Sequence, residues 1–294
     1  GAGLPQGPLL VVQRPDDSIQ YVTLDGLSAV LVAEAPSSLL PAGYSGVPFS
    51  GTPMGDGPIV YVRQWGGDAF YALDTIMGQL YLLDFVPPHS PVAVRPLTEG
   101  LWSGDAPPIS LAWGEFSAGH TATTRLYLSS PDGSQVVQAL EETYDGSDPW
   151  TQFVPWRWRE DGQLYYTKQP VEGMGGFPPF VSAANLWLFD PRSGGSVELI
   201  SNEVTGGKLC LDAISPDDRR VAHHCDEGGI TILNPVTGKA IPVSLPDQVT
   251  SDMQLGSVHF GPDGSRIAFA AMTGGTERVE QTQGYVAVSD NLSL

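Results

Sequence analysis

Apolar residues in this chain come in short runs that end at Gly, Pro, Asn or Asp. Ile19 to Leu24, Val30 to Ala33, Ile59 to Arg63, Phe70 to Leu73, Leu80 to Phe85, Arg125 to Leu128, Leu186 to Phe189, Ile230 to Leu233 and Ile267 to Ala270 are each strand-sized. Gly or Pro interrupts most windows long enough for three helical turns. The pattern predicts an all-β fold with few helices.

The turns between these runs repeat. Ile214 to Val221 reads I-S-P-D-D-R-R-V, Phe260 to Ile267 reads F-G-P-D-G-S-R-I, and Trp158 to Leu164 gives a weaker W-R-E-D-G-Q-L. With the turns before Leu9, Ile59 and Ile109, comparable positions fall near residues 7, 56, 105, 161, 217 and 263. A spacing of about 50 residues holds four short strands, the unit of a β-propeller blade. We therefore expect one six-bladed domain of four-stranded antiparallel blades over residues 1–294, with blades roughly at 1–40, 41–99, 100–144, 145–203, 204–247 and 248–294. With strands labelled a to d from the axis outward, the fifth blade takes Lys208 to Ser215, Arg219 to Cys225, Gly229 to Leu233 and Ala240 to Leu245. This phase leaves the first blade without strand a and the sixth without most of d. Either strands beyond Leu294 complete the ring, with seven blades the alternative in a longer chain, or the phase differs.

The units S-P-D-D-R-R-V-A and G-P-D-G-S-R-I-A-F, followed by a strand such as G-G-I-T-I-L-N-P-V-T-G, resemble the TolB-type, WD-repeat-like propeller repeat. In that repeat Pro and Asp set up a tight turn and Gly or Asp takes the left-handed position; Asp218 stands where Gly is usual. About a third of the chain carries the similarity, and nothing matches the α/β domain that precedes the propeller in TolB. The resemblance implies a bacterial, exported binding propeller.

Composition narrows the function classes. Thirty-three acidic residues against 14 basic ones give a net charge of -19, and no basic cluster offers nucleic acid a foothold. No apolar run reaches the length of a membrane span. The chain opens at Gly1 without a charged n-region or an apolar h-region, as a mature chain does after an export signal is removed, so we expect a periplasmic, secreted or surface-attached protein.

Strand order sorts the connections. The a-to-b and c-to-d turns, at one end of each blade, are tight, as at Pro216 to Arg219 and Pro235 to Gly238. The b-to-c and d-to-a connections at the other end read as long loops: Ala35 to Gly51, Ser117 to Thr124, Glu141 to Thr151, Gln169 to Asn185 and Thr273 to Gln283. Recognition concentrates on such loops. Tyr44, Phe49, Glu141, Glu142, Tyr144, Asp145, Trp150, Phe177 and Phe180 are the expected binding residues. Aromatics rimmed by carboxylates suit a basic protein partner, a sugar or a cation; the alternative is loops that pack their aromatics onto themselves, with acids serving solubility. No cofactor or metal is indicated, and calcium in the acidic loops is left open.

Cys210 and Cys225 flank the P-D-D-R turn symmetrically, so a regular hairpin sets them opposite each other as a disulfide or as two facing thiols. The same register pairs Asp212 with His223, read as a structural hydrogen bond. Trp156 and Trp158 share one strand face, as interblade packing requires. Nucleophile-elbow, zincin, Walker A, C-x-x-C and dinucleotide-binding motifs are absent from the sequence. The leading expectation is a non-enzymatic scaffold that binds a basic protein partner. A glycan-acting hydrolase with a carboxylate pair at the central funnel and a structural subunit of a surface assembly are the alternatives.

Overall fold

A computed structural model describes residues 9–13, 19–23, 29–33, 59–63, 70–74, 79–82, 85, 87–88, 92–94, 111–119, 121–130, 133–145, 150–171, 183–224, 229–251, 253–261, 264–273 and 281–288. Side chains are described at 85, 87, 88 and 93 and from 111 onward, except at 257, 272, 273 and 281–288. Everything described is strand or turn apart from one short helix, α1 (Asn202–Thr205).

The strands form sheets that follow one another along the chain without sharing a member. The first holds β1 (Leu9–Gln13), β2 (Ile19–Thr23) and β3 (Ala29–Ala33); the second β4 (Ile59–Arg63), β5 (Phe70–Asp74) and β6 (Gln79–Leu82). The third is four-stranded: β7 (Val92–Val94), β8 (Leu111–Ser117), β9 (Ala122–Ser129) and β10 (Val136–Tyr144). The fourth holds β11 (Thr151–Trp158), β12 (Leu164–Pro170), β13 (Leu186–Asp190) and β14 (Gly195–Ile200); the fifth β15 (Leu211–Ile214), β16 (Val221–His223), β17 (Thr231–Leu233) and β18 (Ala240–Pro242). The last holds β19 (Gln254–Phe260), β20 (Arg266–Thr273) and β21 (Gln281–Val288). Consecutive antiparallel meanders of this kind are the build of an all-β propeller.

The strand phase follows the repeat: β15 to β18 fall on the runs assigned to a, b, c and d. Three boundaries differ. The third sheet begins at Val92, inside the interval given to the second, because a three-residue strand between Pro91 and Pro96 carries no periodic signal. Ser117 to Thr124 is mostly strand, with only 118–121 connecting β8 to β9. Glu141, Glu142 and Tyr144 belong to β10 rather than to a loop.

By contact the chain divides into two compact units, one of Gly1–Glu115, Arg125–Glu141 and Pro155–Gly162, the other of Phe116–Thr124, Glu142–Val154 and Gln163–Leu294. In the first, Trp113 is buried and stacks on Tyr127, with ring centroids 5.6 Å apart, while Phe85 tilts against it. Gly133, at φ 69°, passes so close to Phe85 that a Cβ would stand 2.4 Å from the ring. Trp158 is buried and donates its indole N–H to the Ala93 carbonyl at 3.3 Å, the packing expected of it. In the second unit Ala213, Ala222, Ile230 and Ile232 of the fifth sheet and its flanks meet Leu255, Val258, Ile267 and Phe269 of the last in one apolar core.

The repeated turn shows why its residues recur. Gly162, Asp218 and Gly264, equivalent in the three copies, all hold positive φ, at 85°, 59° and 67°. In the fifth-sheet copy the Ser215 hydroxyl donates to Asp217 at 2.5 Å, the Arg220 N–H donates to the Ser215 hydroxyl at 3.0 Å, and the Arg220 guanidinium reaches Asp217 at 3.2 Å. Arg220 also lies 5.8 Å from the Phe260 ring, tying this turn to the next sheet. Burial pushes the Asp217 carboxyl up, but the Ser215 hydroxyl, the Arg219 amide and Arg220 outweigh it and hold the group below its ordinary range.

At Gly238, also left-handed but with open space where a Cβ would go, Gly238→Ala should cost only the backbone strain, about 1 kcal/mol. At Gly264 the new Cβ would meet Arg220 Nη2 at 2.4 Å, so Gly264→Ala should cost about 2–3 kcal/mol by displacing Arg220 from Asp217 as well; paired denaturant melts measure the difference. Because Asp217 is held low, its contribution is present above the ordinary carboxylate range and fades as pH falls through the native value. The melting temperature of Asp217→Asn should therefore depend less on pH below about 4 than that of the parent chain.

Candidate functional site

The densest polar cluster described lies in the second unit, where β10 ends, β11 begins and β12 leaves its sheet. Lys168, near the end of β12, extends its ammonium across the indole of Trp187 at 4.2 Å, with the Phe153 ring at 5.7 Å. It ends on Glu142, donating to Oε1 at 2.5 Å. Tyr144 donates its phenol proton to the other oxygen, Oε2, at 2.9 Å. With that proton committed, the 2.5 Å contact between Tyr144 and Thr151 assigns Thr151 as donor to the phenol oxygen. Both carboxylate oxygens of Glu142 are thus engaged from within the protein.

Aromatic rings wall the cluster. Phe153 meets Tyr166 edge-on at 5.5 Å, and Tyr166 lies 6.1 Å from Trp187. Burial, followed by the hydrogen bond to Glu142 and its charge, pushes the Tyr144 phenol up to about 12 against the opposing Thr151 bond. Tyr166 is likewise raised to about 12, by burial first and then by the charges of Glu142 and Glu198, against a bond from Ser196. Both phenols therefore stay protonated across the physiological range and serve as donors or walls.

The backbone beneath Lys168 is clamped. Asn185, buried in the connection before β13, accepts from the Lys168 N–H at 2.8 Å and from the Thr167 hydroxyl at 3.2 Å. It returns its amide protons to the Lys168 carbonyl at 2.8 Å and to Asn202 at 3.1 Å. Next to Asn202, Thr205 donates to the Ala184 carbonyl at 2.6 Å, and Gly207 N–H closes α1 onto the Asn202 carbonyl at 2.7 Å. Side-chain amides bonded at every position act like added backbone rungs, so the 201–210 connection is held in one conformation.

The expected binding residues separate on this framework. Glu142 and Tyr144 come together. Glu141, their neighbour in sequence, turns instead to Arg125 of β9 at 2.7 Å. Asp145 is exposed just beyond β10. Trp150 is half-buried, 6.0 Å from Phe116, and its carbonyl accepts the Val171 N–H at 2.9 Å. Tyr44, Phe49, Phe177 and Phe180 lie outside the described residues. Lys168, Asn185, Thr151 and Trp187 escaped the sequence reading. The available signal was Lys168 itself, one of only three lysines, following the Leu164-Tyr165-Tyr166 run.

A second pair corrects the expected register of the fifth sheet. Leu211 pairs with His223 and Ala213 with Ala222, so β15 is bulged at Asp212. The bulge moves the Asp212 carboxylate, expected on His223, to Nδ1 of His224 at 2.6 Å. The carboxylate is 1% exposed and the imidazole 22%, so a buried acid orients a partly exposed ring. Cys210 is buried, its sulfur 3.4 Å from the Lys208 carbonyl, and its own carbonyl accepts the His224 N–H at 3.0 Å. Cys225 lies outside the described residues. Among the described residues no three His, Cys, Asp or Glu side chains converge as metal ligands, and no helix is long and apolar enough to cross a membrane.

No protein-family model and no curated protein matches the chain. Solved structures similar to it include an oligogalacturonate lyase in complex with manganese, at 14% identity over 97% of this chain and 74% of the other, with a TM-score of 0.45. An oligogalacturonate lyase from Vibrio parahaemolyticus gives 11% identity, 93% and 84% coverage and a TM-score of 0.47. A nidogen–laminin complex gives 12% identity, 96% and 98% coverage and a TM-score of 0.46. At these identities and scores the likenesses say nothing of what this chain binds, and the propeller assignment rests on its own sheet order.

Proposed function

We propose that the chain is a non-enzymatic, exported binding propeller of the TolB-type repeat, and that it docks a protein partner on the connections preceding β13 and β15. The observation that carries this reading is the surface of the 201–210 connection. Val204 is 63% exposed and Leu209 41%, on a segment whose backbone and neighbours are held by Asn185, Thr205 and Gly207. Apolar side chains presented on a rigid connection lose little entropy on docking, and their burial contributes about 1.5–3 kcal/mol each. Of the acidic residues described nearby, Glu142 is paired with Lys168 and bonded by Tyr144, and Asp212 is held on His224, while Glu203 stands exposed beside Val204. Preference for a basic partner then comes from Glu203 and the overall charge of -19 rather than from Glu142.

The immobilised chain should retain a defined set of proteins from an envelope extract of its source cells. The double variant Val204→Glu, Leu209→Glu should lose them by tenfold or more in affinity, about 1.4 kcal/mol. Arg192→Glu, on the exposed turn at the opposite end of the fourth sheet, should keep them. Equal retention by all three chains, with melting temperatures unchanged, would overturn the reading.

Export to an oxidising compartment goes with a Cys210–Cys225 disulfide. The isolated chain should then have a mass lower by two hydrogens than its reduced form, and reduction should lower stability by about 3 kcal/mol. Two alkylatable thiols under denaturing, non-reducing conditions would refute the bond.

A further inference from the structure

We propose that the outer edge of β10 is a docking strand for an extended, basic segment of a partner protein, which adds to the third sheet as one more strand. The site belongs to the first unit and rests on residues other than those used above.

At nine residues β10 is the longest strand at the margin of any sheet described, and it lies at the end of its sheet order. Marginal strands are normally blunted by brevity, Pro, Gly or charge. The corresponding strand of the fourth sheet opens on Gly195, and that of the fifth is three residues long and ends on Pro242. β10 has neither Pro nor Gly, and its first five residues, Val136 to Leu140, are uncharged. Val136 and Val137 are 49% and 47% exposed, and among the described strands none but β9 pairs with β10. A strand edge left open and apolar is a template for main-chain pairing.

The chemistry of the occupant is written across the neighbouring strands. Glu115 on β8, Arg125 on β9 and Glu141 on β10 form a row in which the guanidinium serves both acids, at 3.7 Å and 2.7 Å. Charge therefore runs acid, base, acid toward the margin, and Glu141 stands at the outer end with its side chain 42% exposed. Both bonds to Glu141, from Arg125 and from Gln138, fall on Oε2, which leaves Oε1 unengaged among the described residues. An incoming strand continues the alternation if it brings Lys or Arg opposite Glu141 and aliphatic residues opposite the valines. A second copy of this chain brings another charge of -19 and another Glu141 to the same margin, so the edge fits a basic partner better than itself.

The test uses the full chain and a fluorescein-labelled nine-residue peptide in which a Lys precedes a Val-Val pair by four residues, so that an antiparallel strand sets Lys opposite Glu141 and the valines opposite Val137 and Val136. Two further peptides carry N-methyl groups on alternate residues, one on the odd and one on the even positions. Strand addition uses only one of the two alternating sets of peptide N–H groups. One methylated peptide should therefore bind about tenfold more weakly than the parent and the other should bind like it. Hydrogen exchange at residues 136–141 should slow about tenfold under saturating peptide. Glu141→Gln should weaken binding about threefold and flatten its salt dependence. Equal binding of both methylated peptides would overturn the proposal by showing plain electrostatic adsorption. So would protection that falls elsewhere, or sedimentation of the free chain as a dimer with residues 136–141 already protected, which gives the edge to a second copy.

Discussion

Two inner strands, β12 and β8, carry runs with no solvent side. On β12, Leu164, Tyr165, Tyr166 and Thr167 are all buried in succession, and on β8 so are Leu111, Ala112 and Trp113. Successive residues of a strand point to opposite faces, so a run of buried neighbours means that both faces of the sheet are covered. One meander cannot cover itself. In the second unit the fifth and last sheets meet this demand by sharing an apolar core from Ala213 to Phe269. Burial then fades outward: β10 and β14 at the sheet margins are mostly exposed.

Two-faced burial makes every polar atom near an inner strand expensive unless it is bonded. This accounts for the clamp at Asn185, which satisfies both backbone groups of Lys168, and for the Thr124 hydroxyl that accepts the Phe153 N–H at 3.0 Å. It also accounts for the treatment of charge. Lys168 leaves a buried strand by way of the Trp187 face and is met by Glu142 where solvent begins, so ammonium and carboxylate share one short bond. A chain this acidic still spends acids internally, while apolar side chains stand exposed at Val204, Leu209, Val136 and Val137.

The repeated turn was legible from local chemistry. Positive φ is cheap only for Gly and tolerable for Asp, so Gly162, Asp218 and Gly264 announce the same bend wherever they occur. The apolar runs between turns gave the strands for the same local reason. Errors came where an element carries no local signal. β7 is too short to show a period. β10 reads as an acidic loop because a marginal strand needs no buried alternation to persist.

Amino-acid order alone therefore settled the all-β class and the turn spacing, because each is decided within a few residues by backbone sterics and the period-two pattern. Partnership across strands was settled only by the folded chain. A single extra residue at Asp212 moved a carboxylate from one histidine to the next, and Glu141 and Glu142, adjacent in sequence, went to Arg125 and Lys168 on different strands. Register and packing over such separations depend on the summed fit of many side chains, which no short stretch of sequence contains.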